Sequence, residues 1–144
     1  MLEEDDEIII NVIIKEDVAA KVIKHQKINI NSGISDLDLL KIYQISHVLF
    51  LPFVDVTACN SVLEAMACGL PIVTTNVGGN AEYLKDTNSI LVDKGSAYLQ
   101  YKNAILSIIE KDKNLSISKT SRKIGETYDW KLVANKINDF YKSI

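Results

Sequence analysis

Apolar and polar positions along the chain fall into two alternating rhythms. Short, near-continuous apolar runs rich in β-branched residues at 8–14, 28–30, 48–52, 71–75 and 89–92 predict strands buried on both faces. Between them, 16–25, 35–45, 61–68 and 80–85 carry apolar residues at helical spacing. The 35–45 segment has the clearest start: Ser35 can cap the first turn, Asp36 and Asp38 favour its positive end, and Leu37, Leu40 and Tyr43 recur a turn apart. This alternation predicts an α/β fold, a doubly wound, Rossmann-like parallel sheet of about five strands. After Gly95 the β rhythm stops. Helices are expected at 97–111, with Leu99, Ile105, Leu106 and Ile109, at 115–124, and from 129 onward, where Val133, Ile137, Phe140 and Tyr141 form a stripe. No repeat or low-complexity linker interrupts the pattern, so 1–144 reads as a single domain with a C-terminal helical segment.

Composition narrows the partners. With 144 residues and 47% of them apolar, the chain can bury a core. A net charge of -3 supplies no positive field for nucleic acid or an anionic membrane surface. Cys59 and Cys68 do not make a C-x-x-C pair, and with His25 and His47 they assemble no metal-ligand spacing, so both are read as reduced thiols of a cytoplasmic protein. The acidic start, MLEEDDE, is unlike a secretory signal and reads as a frayed, solvated end, and no apolar run is long enough to span a bilayer.

Candidate chemistry gathers around Cys59 to Gly79, CNSVLEAMACGLPIVTTNVGG. In an open parallel sheet, ligands bind beyond the carboxyl ends of the strands. The loop PFVDVTACN leaves the third strand and leads into helix 61–68, whose first-turn amides lack helical partners and can receive a phosphate. Thr57, Ala58 and Cys59 are small enough for close backbone approach, with Asn60 and Ser61 next along the helix entrance. A second loop, after the fourth strand, carries Gly78 and Gly79, which serve either close ligand approach or a plain turn. Glu64 also has two open roles. It can accept hydrogen bonds from vicinal hydroxyls, as the acidic residue of a dinucleotide fold does for ribose. Alternatively, Ser61-Val62-Leu63-Glu64 is a capping box in which Glu64 only satisfies the helix start.

The block LEAMACGLPIVTTNVGGNAEYL, Leu63 to Leu84, resembles the signature of retaining, GT-B-fold glycosyltransferases of family four. GISDLDLLKIYQISHVLFLPF is similar to the helix and strand preceding that block, and YDWKLVANKINDFY to the family's closing helix. The resemblance implies the C-terminal, nucleotide-sugar-binding domain of such an enzyme, with a UDP- or GDP-sugar as donor and no metal. In the family's Glu-x7-Glu motif the second glutamate binds the donor ribose, and Glu64 falls on it. The first falls on Val56, for which neighbouring Asp55 is the candidate replacement; DVTACN fits the Asp-x-Thr-Ala-x-Asn loop of some members. Glu82 falls on a further signature position. The implied donor-binding set is therefore Asp55, Thr57, Ala58, Cys59, Asn60, Ser61, Glu64, Gly78, Gly79 and Glu82, with no residue assigned as catalytic. No segment before EIIINVII matches the family's first strand of this domain, with the donor-phosphate Arg and Lys that follow it; the sole arginine, Arg122, lies far downstream. The acceptor-binding N-terminal domain is likewise unmatched. The expectation is a donor-binding fragment, inactive alone, whose parent works in the cytoplasm, peripheral to the membrane. In the family's strand order the unmatched strand lies between 8–14 and 48–52, so those two either pair or leave an edge open to homodimer formation.

The rival reading is a non-catalytic, receiver-like module of the same architecture. Asp55 is its one plausible phosphoacceptor, and Asp5 and Asp6 precede the first strand instead of following it. A nucleotide-binding enzyme of Rossmann type is weaker still, since no G-x-G-x-x-G follows a strand. Trp130 and Tyr128 are expected to anchor the last helix, His47 to serve as a strand-end hydrogen-bonding residue, and Cys59 to favour its thiolate at a helix start.

Overall fold

The computed structural model describes residues 8–111 and 116–144. The acidic start, with Asp5 and Asp6, and Leu115 at the head of the expected helix 115–124 lie outside them. The chain divides into two compact units, Met1–Ile42 and Tyr43–Ile144.

In the first unit, β1 (Ile10–Ile13) pairs in parallel with β2 (Ile28–Asn31), Ile10 opposite Ile28 and Ile13 opposite Asn31. The intervening helix, expected over 16–25, is the single turn α1 (Glu16–Ala19). Beyond it Lys21 and Val22 donate only to carbonyls three residues back, and Ile23 lies exposed. A short helix without a buried face is marginal, and this one fully buries none of its residues. At the start of α2 (Asp36–Ile45) the expected cap is present: the Asp38 amide donates to the Ser35 hydroxyl, which donates to the Asp38 carboxylate. The hydrogen bonds and charge of Lys41 and the hydroxyl of Ser35 hold the Asp38 carboxyl below its ordinary range. Leu37 and Leu40 of this helix are exposed, and of its periodic apolar positions Tyr43 alone is buried.

The second unit centres on β4 (Ile72–Asn76), paired in parallel with β3 (Leu49–Leu51) on one side and β5 (Ile90–Asp93) on the other. The five expected strands are thus present and parallel, distributed over two ladders. Direct pairing of β1 with β3 is not among those ladders, so each of these strands has one hydrogen-bonded partner among the described residues. Burial on both faces holds for β4, whose residues 72–75 are all buried, and not for β1, β2 or β3. A strand in mid-ladder is shielded at both edges, whereas Phe50 of β3 is partly exposed and packs its edge against Tyr101 at 5.6 Å.

Five helices complete the unit: α3 (Asn60–Ala67), α4 (Asn80–Tyr83), α5 (Tyr98–Lys111), α6 (Ser116–Glu126) and α7 (Trp130–Lys142). The α5 stripe reaches the core, where Ala104, Ile105 and Ile108 pack with Val73 and Val92. The α3 helix buries Val62, Ala65 and Met66. Helix α6 seats on it through Gly125, where a Cβ would lie 2.9 Å from the Ala67 amide nitrogen. The neighbouring Ser121 hydroxyl is buried there without a hydrogen-bond partner among the described residues. Expectation fails at α7. Asp129 caps it through the Lys131 amide, but none of its residues is buried and Trp130 is 82% exposed. Tyr128 does act as an anchor, its ring 5.4 Å from that of Tyr83; Trp130 does not. Among the described residues no helix is long and apolar enough to cross a membrane.

Candidate functional site

The site is built where β3 and β4 end, on loops leading into α3 and α4. Helix α3 begins one residue earlier than expected, at Asn60, with Cys59 in the extended conformation of an N-cap and making no side-chain cap hydrogen bond. Ser61 is therefore inside the first turn, and the capping-box role for Glu64 loses its geometry, because that box requires the serine at the cap. Glu64 turns elsewhere. Its Oε2 accepts a hydrogen bond from the Tyr43 hydroxyl at 3.1 Å, while the residue itself stays exposed. Burial pushes the Tyr43 phenol up to about 12, with the Ser61 side chain, hydrogen-bonded to the same hydroxyl, pulling the other way and the Glu64 charge adding to the rise. Tyr43 thus keeps its proton and remains a hydrogen-bond donor at any ordinary pH.

Gly78 and Gly79 explain how two loops meet. Gly78 has φ of 53°, in the left-handed region, and a Cβ there would overlap the Val56 carbonyl oxygen. At Gly79 a Cβ would come within 2.6 Å of the Thr57 oxygen, and the Gly79 amide donates to Val56 O at 3.2 Å. The glycines press the two loops together, backbone on backbone. Asp55 spends one carboxylate oxygen on its own chain, accepting from the Val56 amide at 2.9 Å, and lies exposed. Thr57, Ala58 and Asn60 are exposed along the same loop, with Cys59 half-buried. Glu82 sits in the first turn of α4, exposed; its charge is felt at Tyr128, whose phenol is raised chiefly by burial.

Beneath the loops lies a polar layer that the sequence analysis did not single out. Asn80, 2% exposed, donates to Thr74 Oγ1 at 3.2 Å and to the Thr75 carbonyl at 3.0 Å. Thr74 Oγ1 in turn donates to the Leu51 carbonyl at 2.6 Å, and Thr75 shares a hydrogen bond with Tyr101 at 2.9 Å. These contacts pin the ends of β3 and β4 and the start of α4 together, because buried polar groups must find partners. The available signal was two threonines inside an otherwise apolar run. Separately, in the first unit, a cavity of about 360 Å³ opens at the carboxyl ends of β1 and β2, against Lys15, Asn31, Gly33 and Ile34. The strand-end rule covers this position as well. His47 is exposed, and with Tyr43 and Cys68 it borders a cavity of about 240 Å³ at the opposite ends of the strands. Burial raises the Cys68 thiol. Arg122 pairs with Glu126 on the exposed face of α6 at 3.2 Å. Among the described residues no three His, Cys, Asp or Glu side chains gather to hold a metal ion.

The profile of the family "Glycosyl transferases group 1" matches residues 15–128, loops and helix α3 included. This chain belongs to that family. Among its relatives, spore coat protein SA of Bacillus subtilis (strain 168) is 31% identical over 139 residues, covering 78% of this chain and 36% of that protein. The D-inositol 3-phosphate glycosyltransferase of Corynebacterium urealyticum is 24% identical over 108 residues, 74% of this chain and 26% of its own length. In fold, the chain is similar to the sucrose-phosphate synthase of Thermosynechococcus elongatus, with a TM-score of 0.71 over 81% of this chain and 30% of that one, at 22% identity. The chain thus spans about a third of these relatives, and the expected GT-B-like α/β architecture is the one observed. Family membership sets aside the receiver-like reading.

Proposed function

We propose that this chain is the nucleotide-sugar-binding domain of a retaining glycosyltransferase. The observation that carries the reading is the setting of Glu64: one turn into α3, exposed, with one carboxylate oxygen engaged by Tyr43 and the other without a role in helix capping. In this reading the donor's ribose hydroxyls bind Glu64, and its diphosphate rests on the first-turn amides of α3, near Asn60 and Ser61. The small residues Thr57, Ala58 and Cys59 and the glycine-linked turn at Gly78 and Gly79 let the ligand approach the backbone, with Asp55 and Glu82 at the rim. Transfer needs the donor in a cleft closed against water, with fixed positive charge at the departing diphosphate. We assign those parts to the acceptor domain and the first strand of this domain in the parent protein, and we read the 144-residue chain as binding without turnover, no metal taking part.

The parent is read as cytoplasmic and peripheral to the membrane, in keeping with a yeast relative, 33% identical over 84 residues, that belongs to a phosphatidylinositol N-acetylglucosaminyltransferase. Strands β1 and β3, each with one hydrogen-bonded partner among the described residues, are the proposed route to homodimers of the isolated chain. The test is a calorimetric titration of UDP and of GDP against the chain and against Glu64→Ala. Replacing the carboxylate is expected to weaken the better ligand by about tenfold or more, since hydrogen bonds to a charged group are the strong ones. Equal affinity in both proteins removes Glu64 from the site.

A further inference from the structure

Tyr43 is 6% exposed, arrives from α2, and donates its hydroxyl to Glu64 Oε2 on α3 at 3.1 Å, with the Ser61 side chain near enough to influence the same phenol. An exposed glutamate has three side-chain torsions and samples many rotamers, so a ligand that grips it must first select one. A buried phenol does not move in that way. Its ring is held by packing, and a hydrogen bond from it removes freedom from the carboxylate it touches while leaving the second oxygen available. The three residues lie on two helices, so this arrangement comes from tertiary packing and not from a local sequence motif.

We propose that Tyr43 is the positioning residue of the donor site: with Ser61 steadying its hydroxyl, it fixes Glu64 so that the free carboxylate oxygen meets the vicinal hydroxyls of a nucleoside diphosphate. The proposal rests on the reading of Glu64 as the ribose acceptor and adds how that acceptor is oriented. Because burial raises the phenol to about 12, the hydroxyl keeps its proton through the physiological range and the tether persists there.

The experiment uses whichever of UDP and GDP binds the chain more tightly, together with its 2′,3′-dideoxy counterpart, and reads the ratio of the two affinities. The unaltered chain is expected to prefer the ribose form, and Glu64→Ala to bind both forms alike. Tyr43→Phe keeps the ring and its packing, and is expected to lower affinity for the ribose form about fivefold while leaving the dideoxy form unchanged, so the ratio falls toward one. Ser61→Ala is expected to move the ratio the same way by a smaller factor. A phenol that merely supports the fold would shift both ligands together, and an unchanged ratio in Tyr43→Phe, with Glu64→Ala still deficient, overturns the tether and leaves the donor reading standing. A Glu64→Ala variant as discriminating as the unaltered chain, or no saturation by either diphosphate, overturns both.

Discussion

Along α3, Val62, Ala65 and Met66 are at most 1% exposed, whereas along α7 Ile137, Phe140 and Tyr141 are 51%, 62% and 71% exposed. Both helices carry an apolar stripe at helical spacing, and α7 has the better-formed amino cap. What separates them is cover. Helix α3 lies between β4 and α6, and its one exposed acidic side chain is held by the Tyr43 hydroxyl. The stripe of α7 meets nothing comparable among the described residues, and Phe140 and Tyr141 pack chiefly on each other, 5.9 Å apart. Periodicity reports that a face exists; it says nothing of what will lie against it.

The contrast can be broken or sharpened by substitution. Met66→Ala should cost about 2–5 kcal/mol, because a fully buried side chain leaves a cavity between α3 and its neighbours. Urea unfolding, with the midpoint compared at constant slope, measures it. Gly125→Ala should cost less, about 1–3 kcal/mol, because α6 must back away from the α3 backbone to admit the methyl group. If that variant unfolds like the unaltered chain, α6 does not seat on α3 as described.

A pH experiment tests the surroundings of α3. Burial holds the Tyr43 phenol protonated up to about 12 in the folded state, whereas an unfolded tyrosine ionises near its ordinary value of 10. The raised value means the contribution is complete below the unfolded value and is lost as pH climbs from there toward the folded one. Urea midpoints at about pH 9 and about pH 11 should therefore differ more in the unaltered chain than in Tyr43→Phe. The smallest effect is expected on α7: Ile137→Ala should change stability by less than about 0.5 kcal/mol, as for other exposed positions. A loss comparable with that of Met66→Ala would mean that α7 is covered in solution.

Strand positions, the Ser35 cap and the loops at the ends of β3 and β4 were legible because each depends on a few neighbouring residues: a β-branched run, a serine before an acidic turn, glycines after a strand. Lengths were less so. The helix at 16–25 shrank to a turn with no fully buried residue, and the one at 80–85 ends at Tyr83, ahead of Asp86 with its φ of 63°. For Glu64, spacing offered two roles of equal standing. The start of the helix, shifted by a single residue to Asn60, removed one of them.

From the sequence alone came the α/β class, the order of the elements, the family resemblance of the central block and the acidic residue at its heart. These follow from local rules, periodicity and residue type, which the chain carries wherever it is placed. Only the tertiary structure decided that Gly78 and Gly79 serve the contact between two loops, that Asn80 and Thr74 pin those loops from below, that Trp130 stays in solvent, and that a tyrosine 21 residues earlier holds Glu64. Each of these depends on which surfaces meet. Contacts between residues distant in sequence are fixed by packing and by the need of buried polar groups for partners, and neither is written in the spacing of a single segment.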